Sequence, residues 1–440
     1  MARELLQSAS MHVITAILFG LVVATGCSGM QDDLGGDGGD GGSVDAPVQD
    51  GPSWEVLRGW LHQQVTSHAI NGFAVQIFDG DDNLVFASEA GTCVEQGACP
   101  QGAPAYTVDL VTGVASSSKW VTSTTVIATL ERAVSAGRFT SLDRALDAPL
   151  SGILTCPTAL PSSMAAITIR QLLSFTDGLL PDHPCVGRPG ETLVGCACSI
   201  LIDSAAVRVD SPTAGAARTS AHPPGTTYKY GESHQVVAGA VVEQLSRMPW
   251  TTVYETLVAT PAGMAAAYRS QTLLSGSLRS SVSDYAKFVR ALFHDGRDGT
   301  RTILSAAAIE QQERSQMPPS VAYLITPQPG LEYGLNIWRW CYAPHGPEIL
   351  DDPTAIVADA TCTAVHQSGH GGKGGFQPWI DRERGFYGVF SMREPSPAGG
   401  ADYTVAEVSI TTAVRLYAGL VISTAARRTA HQRLLARNRY

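Results

Sequence analysis

Ser116-Ser117-Ser118-Lys119-Trp120-Val121 opens the stretch that decides how this chain folds and what it can do. Val121, Ile127, Leu130 and Val134 recur near a period of 3.6, and Gly137 supplies a stop. The spacing therefore predicts an amphipathic helix from Trp120 onward. Residues three apart on a helix share a face, which sets the Lys119 amine beside the Ser116 hydroxyl. Only four lysines (Lys119, Lys229, Lys287 and Lys373) occur among 30 Lys and Arg residues. Arginine keeps its proton near neutral pH, whereas a desolvated lysine can lose it. A serine hydroxyl is a weak nucleophile until a base takes its proton. The plainer alternative is that Ser116 only caps the helix.

Outward from this stretch, composition narrows the class. The chain has 440 residues, 44% of them hydrophobic, enough for a large core, and a formal net charge of −10. That balance disfavours a nucleic-acid partner, which would call for a basic footprint. Val13 to Ala24 is an apolar run too short to span a bilayer comfortably but suited to a signal peptide. Ala24-Thr25-Gly26-Cys27 resembles a bacterial lipobox, which makes residues 1–26 a signal peptide of the lipoprotein type and Cys27 the lipidated residue; a plain cleaved signal is the alternative. Residues 27–53 read as a flexible acidic tether, because Gly35 to Gly42 is built from Gly and Asp and cannot bury apolar surface. The chain is thus expected to be exported to a bacterial cell envelope, periplasm or outer membrane, and to touch a membrane through its lipid anchor only.

Eight further cysteines (Cys93, Cys99, Cys156, Cys185, Cys196, Cys198, Cys341 and Cys362) suggest disulfides in an oxidising compartment. Their spacing favours Cys93–Cys99 and Cys341–Cys362 as small closed loops. No Cys-x-x-Cys pair occurs, so no metal is expected. No cofactor is expected either: Gly372-Lys373 lacks the Ser or Thr of a P-loop. Absence of a Gly-x-Ser-x-Gly elbow disfavours an α/β-hydrolase.

Periodicity sketches the architecture. Trp54, Leu57, Trp60 and Leu61 mark a helix from Trp54 to about Ser67. Gly72–Asp79 and Asn83–Glu89 flank Gly80-Asp81-Asp82 as a hairpin, and Gly375–Asp381 and Gly385–Met392 flank Arg382-Glu383-Arg384 as another. Between about Ile167 and Leu304 helical segments dominate with few strand signals. A last helix runs roughly from Val405 to Leu435. Strands at both ends with helices between them predict an α+β fold: an antiparallel β-sheet flanked by helices, with an inserted all-α subdomain at about 158–305 inside a 54–440 domain.

Three distant segments then align. They are Ser116 to Lys119, Pro224-Gly225-Thr226-Thr227-Tyr228-Lys229-Tyr230-Gly231-Glu232-Ser233, and Ser368-Gly369-His370-Gly371-Gly372-Lys373-Gly374-Gly375-Phe376. Together they resemble the serine β-lactamase and penicillin-binding protein superfamily, most of all class C β-lactamases and family VIII carboxylesterases. Ile167 to Leu179, Thr260-Pro261-Ala262-Gly263-Met264 and Tyr333-Gly334-Leu335 are similar to further segments of that family, so the likeness spans nearly the whole mature chain. The resemblance implies a β-lactamase/transpeptidase-like fold. In it Ser116 forms an acyl-enzyme, Lys119 shuttles protons, and Tyr230 is the second acid/base.

The family's third motif maps to His370-Gly371-Gly372, because Gly369 fits a Gly-His start, and the N–H groups of Ser116 and Lys373 then form the oxyanion hole. Lys373-Gly374-Gly375 is the rival register. Glu232 stands where the family has asparagine. A carboxylate there favours the charged form of Lys119, shifts the proton-accepting burden toward Tyr230, and removes an amide used to hold β-lactams. The expected activity is hydrolysis of a small-molecule carboxylic ester or small amide. A β-lactamase or D-alanyl carboxypeptidase, and a catalytically silent binding lipoprotein, are the alternatives.

Overall fold

The computed structural model describes residues 51–94, 102–208, 221–317, 321–323, 331–353, 356–359, 361–362, 365–394 and 405–437. The expected signal peptide, Cys27 and nearly all of the expected tether lie outside the described residues.

Seven strands build the main sheet: β1 (Gly72–Asp79), β2 (Leu84–Gly91), β3 (Leu331–Tyr333), β4 (Trp338–Tyr342), β5 (Val365–Gly369), β6 (Gln377–Asp381) and β7 (Phe386–Arg393). Their spatial order is β3-β4-β5-β6-β7-β1-β2, and each neighbouring pair is antiparallel. Both expected hairpins are present as β1–β2 and β6–β7. The two ends of the domain meet where β1 pairs with β7, Gly72 opposite Arg393 and Asp79 opposite Phe386.

Side chains alternate across this central pair, and each face has its own core. Phe73, Val75, Ile77, Phe386, Phe390 and Met392 face a core completed by helix α1 (Trp54–Thr66) and the C-terminal helix (Val405–Arg437). Ala74, Tyr387 and Val389 face the larger core, shared with the helices of the insertion. Burial on both faces explains why every residue of β7 is buried. Trp54 stacks on Phe86 at 5.1 Å, fixing α1 to the outer strands. The C-terminal helix is apolar enough between Val408 and Arg427 to cross a membrane by length and composition. Here Ile410, Ala413, Val414, Tyr417 and Ala418 pack on the sheet. Buried Arg415 pins it there, donating to Gln367 Oε1 and Tyr342 OH and lying 4.1 Å over the Trp340 ring.

Helix α2 (Ser118–Ser135) departs from the amphipathic expectation. Its residues from Ser118 to Leu130 are all buried, as befits a helix packed on every side. The hydroxyls that made it look two-faced are satisfied internally. Thr124, Thr125 and Thr129 donate to the carbonyls of Trp120, Val121 and Thr125, and Ser123 donates to Leu335 O. Gly137 has φ 75° just past the helix, as the stop signal required.

The insertion is not all-α. Ile169–Leu173, Leu193–Ala206 (α3), Ser233–Ser246 (α4) and Val282–Phe293 (α5) are helices, but Thr227–Tyr228, Ala267–Tyr268, Leu278–Ser280, Arg297–Asp298 and Arg301–Thr302 are short strands. At two or three residues they are too short to show alternation, and long-range pairing creates them. Leu278–Ser280 pairs with Thr112–Gly113 and so ties the insertion to the segment entering α2.

Cys341–Cys362 is bonded as expected. Cys93 is disulfide-bonded, and Cys99, its expected partner, lies outside the described residues. Two further bridges, Cys156–Cys198 and Cys185–Cys196, both land on α3. Cys156–Cys198 closes a segment with a sequence separation of 42, and loop-closure entropy assigns such a bridge roughly 4 kcal/mol. The double variant Cys156→Ser/Cys198→Ser is expected to lose roughly 2–4 kcal/mol in urea unfolding. An unchanged midpoint would show that α3 does not need this staple.

Candidate active site

The three serines of the opening stretch do three different jobs. Ser117 is buried and its hydroxyl donates to His370 O (2.7 Å) and Phe376 O (3.0 Å). Ser118 Oγ donates to Ala115 O and accepts from Leu278 N–H. Both therefore fasten the chain. Ser117 is also the residue at the N-cap of α2, without a side-chain cap bond, so Ser116 is not the cap. Ala115 holds φ 45°, an unfavourable value for a residue with a side chain. That turn carries Ser116 out of the wall, where it is partly exposed. Tyr285 OH donates to Ser117 O from α5 and locks the turn from beneath.

Lys119 lies one turn on, 1% exposed, with Nζ 3.1 Å from Ser116 Oγ and 3.2 Å from Ser275 O. Its amine also lies 4.6 Å over the Tyr230 ring. Burial pulls its pKa down to about 8, while Glu232 and Asp182 pull the other way. Burial is the larger effect; Glu232 favours the charged form, as expected, without cancelling the shift.

Tyr230 leaves the short strand Thr227–Tyr228 and its phenol is hydrogen-bonded to Ser116. Enclosure pushes its pKa well above the ordinary range, Glu232 adds to this, and the bond to Ser116 opposes it. The phenol is thus held protonated, which suits a proton donor rather than a resting base. The raised pKa runs against the expected shift of the proton-accepting burden to Tyr230. Gly231 is required by packing: a Cβ there would sit 2.5 Å from Pro181 O. Pro181 O in turn accepts from Glu232 N–H and Ser233 N–H, which starts α4 beside the site. Glu232 is half-buried, makes no cap bond with its carboxylate, and acts electrostatically on both Lys119 and Tyr230.

His370 emerges from β5 into a connection, His370 to Phe376, that folds back over the Ser116 turn. The ring is fully buried; Nδ1 lies 3.0 Å from Gly371 O and Nε2 3.1 Å from Tyr333 OH. Nδ1–H therefore donates to the carbonyl and Nε2 accepts from the phenol. Burial, then the nearby Lys119 charge, pushes its pKa down to about 3, so the ring is neutral. Gly372 touches the nucleophile turn, since a Cβ on it would fall 2.1 Å from Val114 O. Its N–H donates to Phe376 O (2.8 Å). Gly371 stands between Gly372 and the buried ring, partly exposed.

The rival register, headed by Lys373, puts the oxyanion donor at Phe376, whose N–H is already bonded to Gly372 O (3.2 Å). The Lys373 side chain is exposed, away from the buried His370 position. Geometry thus prefers His370.

Sequence reasoning did not find the shell around these groups. Phe175, Tyr228, Tyr333 and Trp338 pack against Tyr230; Trp338 stacks on its ring at 6.2 Å and stands 6.2 Å from His370. Lys229, fully buried, has its pKa lowered to about 8 by burial, while Asp177 and Asp182 pull the other way. The rarity of lysine was a usable signal for Lys229; the aromatics come from distant segments and carried none. His183, Cys185 and Cys196 lie close enough to share an ion, but the two sulfurs are bonded to each other.

A β-lactamase family model matches residues 57–409. The chain belongs to the β-lactamase family. Solved structures agree on the fold. A putative β-lactamase from Bacteroides dorei DSM 17855 superposes with TM-score 0.61 at 22% identity, covering 82% of this chain and 98% of that one. The D-amino acid amidase of Ochrobactrum anthropi SV3, complexed with D-phenylalanine, gives TM-score 0.58 at 16% identity over 84% and 99%. An octameric penicillin-binding protein homologue from Pyrococcus abyssi gives 0.53 at 16% over 84% and 78%. No curated protein sequence matches this chain. Membership in the β-lactamase family accounts for the sheet, the insertion and the position of the Ser116 turn between them.

The different jobs of the serines are separable. Ser117→Ala strands the buried His370 carbonyl, while Phe376 O keeps the Gly372 N–H, and is expected to cost roughly 1–3 kcal/mol in urea unfolding. Ser116→Ala leaves the backbone carbonyls paired and removes one partner each of Lys119 and Tyr230, so it is expected to cost less than Ser117→Ala. Equal losses in both variants would mean that Ser116 is also structural.

Proposed function

We propose that this protein is a serine acyl hydrolase that cleaves a carboxylic ester or a small amide through an acyl-enzyme on Ser116. The observation that carries the reading is the 3.1 Å contact of Lys119 Nζ with Ser116 Oγ in a buried setting that brings the amine's pKa to about 8. Near neutral pH a fraction of roughly one in ten of such amines is uncharged and able to accept a proton.

In the first step the neutral Lys119 takes the Ser116 proton as Oγ attacks the substrate carbonyl. The resulting oxyanion is received by the N–H groups of Ser116 and Lys373. Tyr230, held protonated, gives its proton to the departing alkoxide or amine and regains one from Lys119. Water then repeats the sequence on the ester of Ser116, releasing the acid and restoring the serine.

Ester or small-amide cleavage is favoured over β-lactam hydrolysis by the charges around the turn. His370 is neutral, so the third motif offers no cation for a substrate carboxylate, and Glu232 adds a negative charge where an amide would help. The amidase among the similar structures supports amide cleavage as the second reading. Cys27 lipidation and export remain part of the proposal, supported by the disulfides, which suit an oxidising compartment.

A fluorophosphonate probe is expected to label the folded protein at Ser116 and not its Ser116→Ala variant; folded, unlabelled parent protein would overturn the reading. With a chromogenic short-chain ester, kcat/KM is expected to rise about tenfold per pH unit below about pH 8 and level off above it, because the uncharged amine is the active form. A flat profile from pH 6 to 9 would remove Lys119 as the base. Lys119→Arg is expected to abolish turnover, since arginine keeps its proton.

A further inference from the structure

We propose that Arg393 is a positioning residue that holds the two backbone halves of the oxyanion site in register. Arg393 ends β7 and is 1% exposed. Its Nη2 donates to Gly113 O at 2.9 Å, and its Nη1 donates to Gly374 O at 2.7 Å and to Met392 O at 2.8 Å. Gly113 lies in the short strand that runs into the Ala115 turn and Ser116. Gly374 directly follows Lys373. One planar side chain thus spans the carbonyls of the two segments that carry the Ser116 and Lys373 N–H groups.

The same segments also meet through uncharged groups. Ser117 Oγ ties the turn to His370 O and Phe376 O, and Gly372 rests on Val114 O. Those contacts set the distance between the segments. They leave the Gly374–Gly375 corner to be fixed by β7, where Met392 N–H donates to Gly375 O and Arg393 grips Gly374 O. Gly374 and Gly375 have φ of 86° and 88°, so this corner has little stiffness of its own. The rigid fork of a guanidinium can bond both carbonyls at once. A lysine ammonium, a single point donor, cannot hold that span.

The catalytic part of the proposal rests on Ser116 acting as the nucleophile; the clamp itself does not. Amide hydrogen exchange, followed by mass spectrometry on Arg393→Lys and Arg393→Gln, reads the clamp without any turnover. Peptides covering 112–118 and 370–376 are expected to exchange faster together, with those covering 408–427 unchanged. Faster exchange in only one segment, in neither, or throughout the protein would overturn the clamp.

In parallel, Arg393→Lys is expected to lower kcat on a short-chain ester by roughly tenfold to a hundredfold, with KM within about threefold of the parent. Millimolar guanidinium, but not ammonium, is expected to restore part of the kcat of Arg393→Ala. A loss confined to KM, or no rescue, would show that Arg393 does not position the oxyanion donors. Parent protein that turns over no ester would refute the reading of Ser116 while the exchange comparison still decides the clamp.

Discussion

Everything in this site depends on keeping one amine out of water. An exposed lysine beside a serine is a cation that cannot accept a proton, and the serine beside it stays inert. Lys119 escapes that state because α2 starts inside the protein, with its first three turns buried on all sides. Burying the amine also demands partners for it, since an unpaired buried cation is costly. Ser116 Oγ and Ser275 O supply two, and the Tyr230 ring face lies 4.6 Å away. None of these three carries a full negative charge. Two carboxylates near enough to matter, Glu232 and Asp182, oppose the shift without cancelling it.

The fold serves that requirement by bringing three unrelated backbone segments to one point. Strand pairing at Thr112–Gly113 fixes the turn before Ser116 against the insertion. Lys229 N–H donates to Phe175 O and Glu232 N–H to Pro181 O, which holds the Tyr230 segment at a set depth. The sheet delivers His370 from the end of β5, where pairing with β6 is limited to Ser368 and Gly369, so the chain is free to leave the sheet plane there. Close backbone approach, at Gly231 against Pro181 and at Gly372 against Val114, joins the segments at distances no side chain would tolerate.

Much of this was legible in the sequence, and the boundary is physical. Ser116 and Lys119 lie one helical turn apart, so local periodicity suffices to place them together. Both hairpins of the sheet are local as well; alternation survives in the burial pattern of β2, while β7 is buried throughout. Tyr230 and His370 needed the family resemblance, because nothing in their own neighbourhoods says that they face Ser116. What could not be read depends on contacts distant in sequence: the aromatic shell of Phe175, Tyr333 and Trp338, the Cys156–Cys198 bridge, and the two-residue strands that spoil the all-α insertion. The hydroxyl-rich α2 misled for a different reason. Its threonines bond their own helix, so polarity there does not mark a solvent face.

The sign of the charges argues further about chemistry. A site that needs Lys119 neutral is hindered by negative neighbours and helped by positive ones. A lysine at the head of the third motif would help in that way and would also attract a substrate carboxylate. Here the head is His370, held neutral by its burial, while Lys229, directly preceding Tyr230, is a buried amine with its own pKa near 8. The shift of Lys119 thus owes nothing to a cation at the third motif: burial lowers its pKa, and the charges acting on it, Glu232 and Asp182, oppose the change. A third motif headed by a neutral ring leaves the low pKa of Lys119 in place while giving up a grip on anionic substrates. On that ground the proposed ester or small-amide hydrolysis is better matched to uncharged acyl groups than to the carboxylate-bearing ones that a cationic third motif would hold.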